Sequence, residues 1–431
     1  MKMFTVKKGF VVSAAVVLLL LMNLSLFPEW YTSSLSTFDE SFKPFREYID
    51  KDHDAVFTAR QKYLKEVCIK QGQTPPNSLV DSSFPGSTLV ETKHRILYCP
   101  IQKVGSSFWK KTLATIGSQG KFTSRFKTGG KSDISPVLLY QDFQRELKNN
   151  WYPRDLFMKN AVSLLVVRDP YTKLFSAYVD KLYHPNYLFW KTMGQPIERM
   201  VYHDEMPCGD HVSFSDFIKY IINETHKGTT LDPHFTPIQK HCYPCKAKYD
   251  YIMKFENFKE EYHYIINKWN ARFNLNISAL ELESSSAIYI ASKHINISFT
   301  TMKQFASKCN ISPYNFLART WRFLQITGVL PKQIELPFPN DENISSITKV
   351  QFLDAVKVVL ASDIDWSGVK QQRHEALVQA YKSIESTDLQ KLREILKPDC
   401  QYFNYEENPE YLTENITTTL NYFDGIKNFF G

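Results

Sequence analysis

Between Thr92 and Ser132 there is no aspartate or glutamate, although the stretch holds nine lysines and arginines. Without acids to neutralise it, this run is either a solvated basic face or a surface that draws an anion. The anion classes are a nucleotide, a sulfated glycan, a nucleic acid or a phospholipid surface. The same stretch lacks a Walker sequence. Gly130-Lys131-Ser132 ends like one, but the pattern needs glycine at position 125, where Arg125 stands. An ATP-type P-loop is therefore excluded. No internal repeat recurs along the 431 residues, which excludes a solenoid. With 43% apolar and 23% charged residues the composition is that of a globular protein, and the net charge of +7 is modest.

What is present begins with one apolar run. Gly9 to Phe27 is interrupted only by Ser13, Asn23 and Ser25. As helix it spans roughly 29 Å, about one hydrocarbon core. Lys2, Lys7 and Lys8 precede it; Glu29, Asp39 and Glu40 follow. The charge bias predicts a cytosolic tail over 1–8, a single-pass type II anchor over 9–27 and a lumenal body. A cleaved signal peptide is the rival, but no small-x-small site follows Met22. Sequons at Asn223, Asn276, Asn296, Asn310, Asn343 and Asn415 agree with a lumenal body. Of the seven cysteines, Cys208-x-x-His211 and Cys242-x-x-Cys245 have zinc spacing; in an oxidising lumen disulfides are expected instead.

Residues 28–92 read as a helical stem and a linker rich in proline and serine, 93–405 as the globular domain and 406–431 as an extension. Three short apolar runs each lead into a helix pattern: Arg95–Cys99 into 106–116, Ala161–Val167 into 171–182, and Tyr249–Phe255 into 257–273. Continuous apolar strands alternating with helices predict an α/β domain with a central parallel sheet flanked by helices. Ligands bind beyond the C-terminal ends of such strands, where the loops at 100–106 and 168–170 fall. A last helix is expected over Ser386–Leu396, ended by Pro398. The region 280–347 gives no clear pattern.

Both loops carry anion chemistry. In Gln102-Lys103-Val104-Gly105-Ser106-Ser107-Phe108, glycine lets backbone approach a ligand, the helix start offers free N–H groups, and Lys103 adds a charge. The plain alternative is a serine-capped helix. In Arg168-Asp169-Pro170-Tyr171-Thr172-Lys173-Leu174-Phe175-Ser176, an arginine at a strand end can grip a phosphate bidentately, and Ser176 lies two turns into the helix. The alternative there is an Arg–Asp surface pair.

Tyr98 to Lys111 resembles the motif Y-C-x-x-P-K-V-[AG]-C-[ST]-N-W-K-R of the Golgi carbohydrate sulfotransferases. Arg168 to Lys181 is similar to their R-[DE]-P-[FY]-x-R-L-x-S-A-[YF]-x-[DN]-K. His234-Phe235-Thr236-Pro237, Cys242-Tyr243-Pro244-Cys245, Tyr249 to Glu256 and Leu392 to Tyr405 resemble further family segments in the same order. The nearest group holds the chondroitin, dermatan and N-acetylgalactosamine 4-O-sulfotransferases and the glucuronyl 3-O-sulfotransferase. Departures are Gln102 for proline, Ser106 for cysteine, Phe108 for asparagine and Lys173 for arginine.

The resemblance implies a P-loop-like sulfotransferase fold and a Golgi membrane location. It also implies the co-substrate 3′-phosphoadenylyl sulfate (PAPS), with residues 102–108 on the 5′-phosphosulfate and 168–176 on the 3′-phosphate. The expected acceptor is a hydroxyl of a glycan or proteoglycan; neither a metal nor a nucleic acid partner is expected. Lys103 is the candidate for stabilising the leaving phosphate and His234 for the general base, with His203, His211 and His241 as rivals. Two other readings stay open. A metal-dependent glycosyltransferase would use Asp363-Ile364-Asp365 or Asp52-His53-Asp54, and a non-enzymatic glycan binder would use the basic surface.

Overall fold

The computed structural model describes residues 52–118, 137–149, 153–203, 208–277, 287–305, 309, 311–363, 366–416 and 420–423. The expected anchor 9–27, Asn310 and the pair Ile364-Asp365 lie outside them. Among the described residues no helix is long and apolar enough to cross a membrane.

Five strands form one sheet in the order β3-β1-β2-β4-β5. They are β1 Leu89–Glu91, β2 Ile96–Cys99, β3 Val137–Leu139, β4 Val162–Val167 and β5 Tyr251–Lys254. The expected parallel sheet is present in part: β2, β4 and β5 run parallel, with Leu97 opposite Ser163 and Leu165 opposite Ile252. β1, which the sequence pattern does not mark, runs antiparallel to both β2 and β3. The reason is chain length. Only residues 92–95 separate β1 from β2, whereas a parallel crossover needs about a dozen residues or more. All six residues of β4 are buried, as a strand covered on both faces requires.

The main helices are α1 His53–Lys70, α2 Ser106–Gly117, α3 Pro170–Tyr178, α4 Phe214–His226, α5 Phe258–Phe273, α6 Ala287–Phe305, α7 Pro313–Ile326, α8 Val369–Lys382 and α9 Ser386–Phe403. α3 runs on as a π-turn over Val179–Tyr183. Two large apolar clusters result, beside a small one of Trp190, Phe305 and Phe316. One surrounds the sheet with α1, α2 and α5; the other joins α3 and α4 to α6–α9. The region that gives no clear sequence pattern is therefore part of the helical cluster. The helix expected to stop at Pro398 instead continues to Phe403. A proline inside a helix removes one hydrogen bond. Here Cys400, Tyr402 and Phe403 beyond it are buried, and the Asp399 carboxylate accepts from the backbone N–H of Ile238 (2.6 Å) and Gln239 (2.8 Å). These contacts offset the loss.

α1, expected as part of the stem, is instead fastened to the sheet half. Arg60 donates to both carboxylate oxygens of Glu261 at 2.7 and 2.8 Å and to the Ile252 carbonyl at 2.8 Å. Disulfides join Cys68 to Cys245, Cys99 to Cys242 and Cys208 to Cys309. This pairing consumes the three cysteines of the zinc-like spacing, so that reading is set aside. Cys400 is the free cysteine, buried, with burial pushing its thiol up to about 12. Asn276, Asn296, Asn343 and Asn415 are exposed and Asn223 is half-buried.

Candidate active site

The two expected loops meet at one cavity. β2 and β4 are parallel neighbours, so the loops that follow them emerge side by side. The Cys99–Cys242 disulfide ties the end of β2 to the helical turn Ile238–Cys242, which draws the 234–242 segment to the same edge. The cavity has a volume of about 360 Å³ and is lined by Gln102, Lys103, Gly105, Ser106, Ser107, Arg168, Phe175, Ser176 and His234 among the expected residues. A second cavity of about 760 Å³ adjoins it, sharing Arg168, Phe175, Phe255 and Arg373 and adding Asp169, Thr172, Tyr405 and Tyr411.

The first loop is tightly wound. Lys103 and Gly105 both take left-handed backbone, at φ 68° and 82°. A Cβ on Gly105 would lie 2.9 Å from the Phe258 ring, so both conformation and space call for glycine. Gly105, not a serine, is the N-cap of α2, no side chain caps the helix, and its first turn holds no acid. Ser106 and Ser107 are its first two residues. The serine-capped alternative thus does not apply, and the helix start is open to an anion. The Ser106 hydroxyl donates to Gln102 Oε1 at 3.2 Å.

Lys103 Nζ pairs with Asp180 at 2.8 Å. Burial pushes the ammonium down to about 8, against the pull of Asp180. Burial opposes ionisation of Asp180, but Lys103, Lys181 and His294 hold its carboxyl well below the usual range. Arg168 locks the first loop to the second. It donates from one terminal nitrogen to the Lys103 carbonyl at 2.9 Å and from Nε to Thr172 Oγ1 at 3.1 Å, and it lies 4.7 Å from the Phe255 ring centroid. The other terminal nitrogen is left for a ligand. Asp169 is no surface partner of Arg168: it caps α3 through the Thr172 N–H at 2.7 Å and accepts from the Tyr411 hydroxyl at 2.7 Å.

The remaining expected residues support the loops from behind. Val104, Tyr171 and Leu174 are core, Pro170 is the first residue of α3, and Phe108 stacks edge-on against Phe258 and Tyr262. Lys173 turns away from both cavities and donates to the carbonyls of Thr236 (2.9 Å) and His234 (3.4 Å). It tethers the His234 loop.

Of the four histidines proposed as base, His234 alone lines either of these two cavities. Its Nδ1 lies 2.6 Å from Asp232 Oδ1, which leaves Nε2 for chemistry. Burial, only partly opposed by Asp232, lowers its pKa, so the ring is neutral at pH 7. His211 sits beside Asp210 and Glu198, whose carboxylate braces the Gly209 and His211 N–H groups. His203 ends a helix in left-handed backbone, and His241 is pushed down to about 4 by burial. Among the lining residues that the sequence does not assign to the site are Asp180, His294 and Arg373. Asp180 was detectable, since Thr172, Ser176 and Asp180 recur at the four-residue spacing of one helix face. His294 and Arg373 come from α6 and α8, where no motif marks them.

Residues 87–294 match the sulfotransferase family. Similar curated proteins are carbohydrate sulfotransferase 9 of Homo sapiens, 29% identical over 48% of this chain and 46% of that protein, and carbohydrate sulfotransferase 8 of Mus musculus, 26% identical over 50% and 51%. Carbohydrate sulfotransferase 14 of Danio rerio is 27% identical over 52% and 60%. The chain thus spans about half the length of the first two relatives. No solved structure matches. The resemblance read from the motifs is borne out by these matches.

Proposed function

We propose, from the sulfotransferase-family domain formed by residues 87–294, that this protein moves the sulfuryl group of PAPS to a glycan hydroxyl, of the chondroitin, dermatan or N-acetylgalactosamine 4-O type. It works in the Golgi lumen, held by an anchor over 9–27 and the stem that follows it; α1 and β1, expected in the stem and linker over 28–92, and Tyr411, expected in the extension over 406–431, join residues 93–405 in the catalytic domain. The observation that carries the reading is the open start of α2 beside Lys103, facing His234 across one cavity.

Each residue then has a task. The N–H groups of Ser106 and Ser107 and the Lys103 ammonium hold the 5′-phosphosulfate. His234 Nε2 takes the proton of the acceptor hydroxyl as its oxygen attacks sulfur. The bond from sulfur to the 5′-phosphate oxygen breaks in line, and Lys103 meets the charge that grows there. The products are a sulfate ester and 3′,5′-adenosine bisphosphate. Asp180 aims Lys103, and the remaining nitrogen of Arg168, with Ser176, takes the 3′-phosphate. The donor's anionic groups fit the residues present, because the cavity holds an uncapped helix start and five cations, Lys103, Arg168, Lys181, Lys293 and Arg373.

The test is turnover of labelled PAPS against a panel of glycans, followed by linkage analysis. Label is expected on a sugar hydroxyl. Transfer from a nucleotide sugar instead, or no consumption of PAPS with any glycan, would overturn the reading.

A further inference from the structure

One cation at this site is left without an occupation. Arg373, on α8, lines both cavities together with Arg168. It makes no hydrogen bond or ion pair among the described residues. Burial, and then the charge of Arg168, push its guanidinium down to about 9, still charged at neutral pH. Lys103 also feels its charge.

Two other arginines, the buried Arg319 and the half-buried Arg60, give the contrast. Arg319, inside the helical cluster, donates to the carbonyls of Tyr183, Leu182 and Asp210 and lies over the rings of Tyr183 and Trp190. Arg60 is matched to a carboxylate. Both follow the rule that a charge drawn wholly or partly out of water is paired and hydrogen-bonded. Arg373, half-buried at the cavity wall, has neither kind of partner among the described residues, and it lies beside a second guanidinium. Two like charges facing one cavity, one of them unpaired, destabilise an empty site and favour a ligand of higher negative charge.

We propose that Arg373 and Arg168 together clasp the 3′-phosphate of the donor, a doubly charged phosphate monoester. A helix beyond the family-matched residues thereby completes the donor site. The inference rests on the PAPS reading above. Arg168 spends two of its donor positions on Thr172 and the Lys103 carbonyl, so it cannot by itself satisfy three phosphate oxygens. Arg373 brings an uncommitted fork to the same space.

The full chain in detergent is titrated with 3′,5′-adenosine bisphosphate and with adenosine 5′-monophosphate, as wild type, Arg373→Gln and Arg373→Lys. For Arg373→Gln the bisphosphate is expected to weaken about 10- to 100-fold, the range for lost hydrogen bonds to a charged group. The monophosphate should change less than about threefold, and Arg373→Lys should fall between, since it keeps the charge without the fork. Ligand-free Arg373→Gln should melt no lower than wild type, because it removes an unpaired, half-buried charge beside a like charge. A wild type that binds both nucleotides equally defeats the PAPS reading. A wild type that prefers the bisphosphate, with Arg373→Gln keeping the same preference, defeats the role of Arg373 alone. Failure of Arg373→Gln to fold also overturns it, since the side chain would then be structural.

Discussion

The two walls of the cavity are built on different principles. On the sheet wall, the charged and loop-binding groups are committed: Lys103 to Asp180, Arg168 to Thr172 and the Lys103 carbonyl, Ser106 to Gln102. On the helical wall, Arg373 has no hydrogen-bond or ion-pair partner among the described residues and the Nδ1 of His294 makes no hydrogen bond with them, the nearby acid being Asp180 at 3.9 Å. A committed wall holds its geometry before any ligand arrives, which is what stabilising a developing charge requires. An uncommitted wall gains its contacts from the ligand. The first is expected to govern rate and the second affinity.

The largest effect should come from the committed wall. On the proposed mechanism, Lys103→Ala lowers kcat by about 100-fold or more, near 3 kcal/mol, as for other lost transition-state donors. Binding of the bisphosphate product should fall much less. Single-turnover rates and product calorimetry on one preparation check both. A variant whose loss lies wholly in affinity would erase the distinction between the walls.

Next in size is the pH profile. His234 is neutral and able to accept a proton above a pKa that burial holds under the ordinary 6.5, so kcat/KM should fall on the acid side below that value. Lys103 must be charged, and it loses its proton near pH 8, so an alkaline limb is expected there. Asp180 raises the Lys103 pKa, so Asp180→Asn should move the alkaline limb to lower pH and leave the acid limb in place. An alkaline limb unmoved by Asp180→Asn would mean that another group sets it.

The sheet wall is also the part that can be read from the chain. Its units are local: a strand, a tight loop and a helix start lie within about twenty residues, so Gly105, Arg168 and α2 announce themselves by type and spacing. His234 needed the family resemblance as well, because nothing in its own segment separates it from His211 or His241. Lys173 shows the limit within a motif: its sequence neighbours suggest an anion ligand, while its side chain holds the backbone of the His234 loop. The helical wall is hidden for a physical reason. Arg373 lies over two hundred residues from Arg168 in the chain, and on α8 it reads as one polar residue among several. Packing of α8 against α3 and α7 brings it to the cavity, and no local pattern encodes that. The antiparallel β1 and the passage of α9 through Pro398 are set by connection length and burial in the same way.

The smallest predicted effect probes the seam between the walls. Tyr411 lies in the segment after Tyr405, and its hydroxyl donates to Asp169 Oδ1, the same carboxylate oxygen that accepts the Thr172 N–H and caps α3. Burial disfavours the charged carboxylate, and both hydrogen bonds pull its pKa back down. Tyr411→Phe removes one of them. The expected cost is about 1.5–3 kcal/mol of stability, the range for a hydrogen bond to a charged group. The sign with pH follows. The hydrogen bond lowers the folded-state pKa of Asp169, so the stability it adds is present at neutral pH and fades as acid protonates the carboxyl. Wild type and variant should therefore differ most near pH 7 and converge at low pH. Arg168 is fixed through Thr172, the residue next to this cap, so affinity for the bisphosphate should also fall, by less than for Arg373→Gln, with kcat nearly unchanged. Urea unfolding at neutral and acid pH, with calorimetry at neutral pH, measures all three. A stability difference that persists at low pH would mean that the Tyr411 ring, not its hydroxyl, carries the contribution.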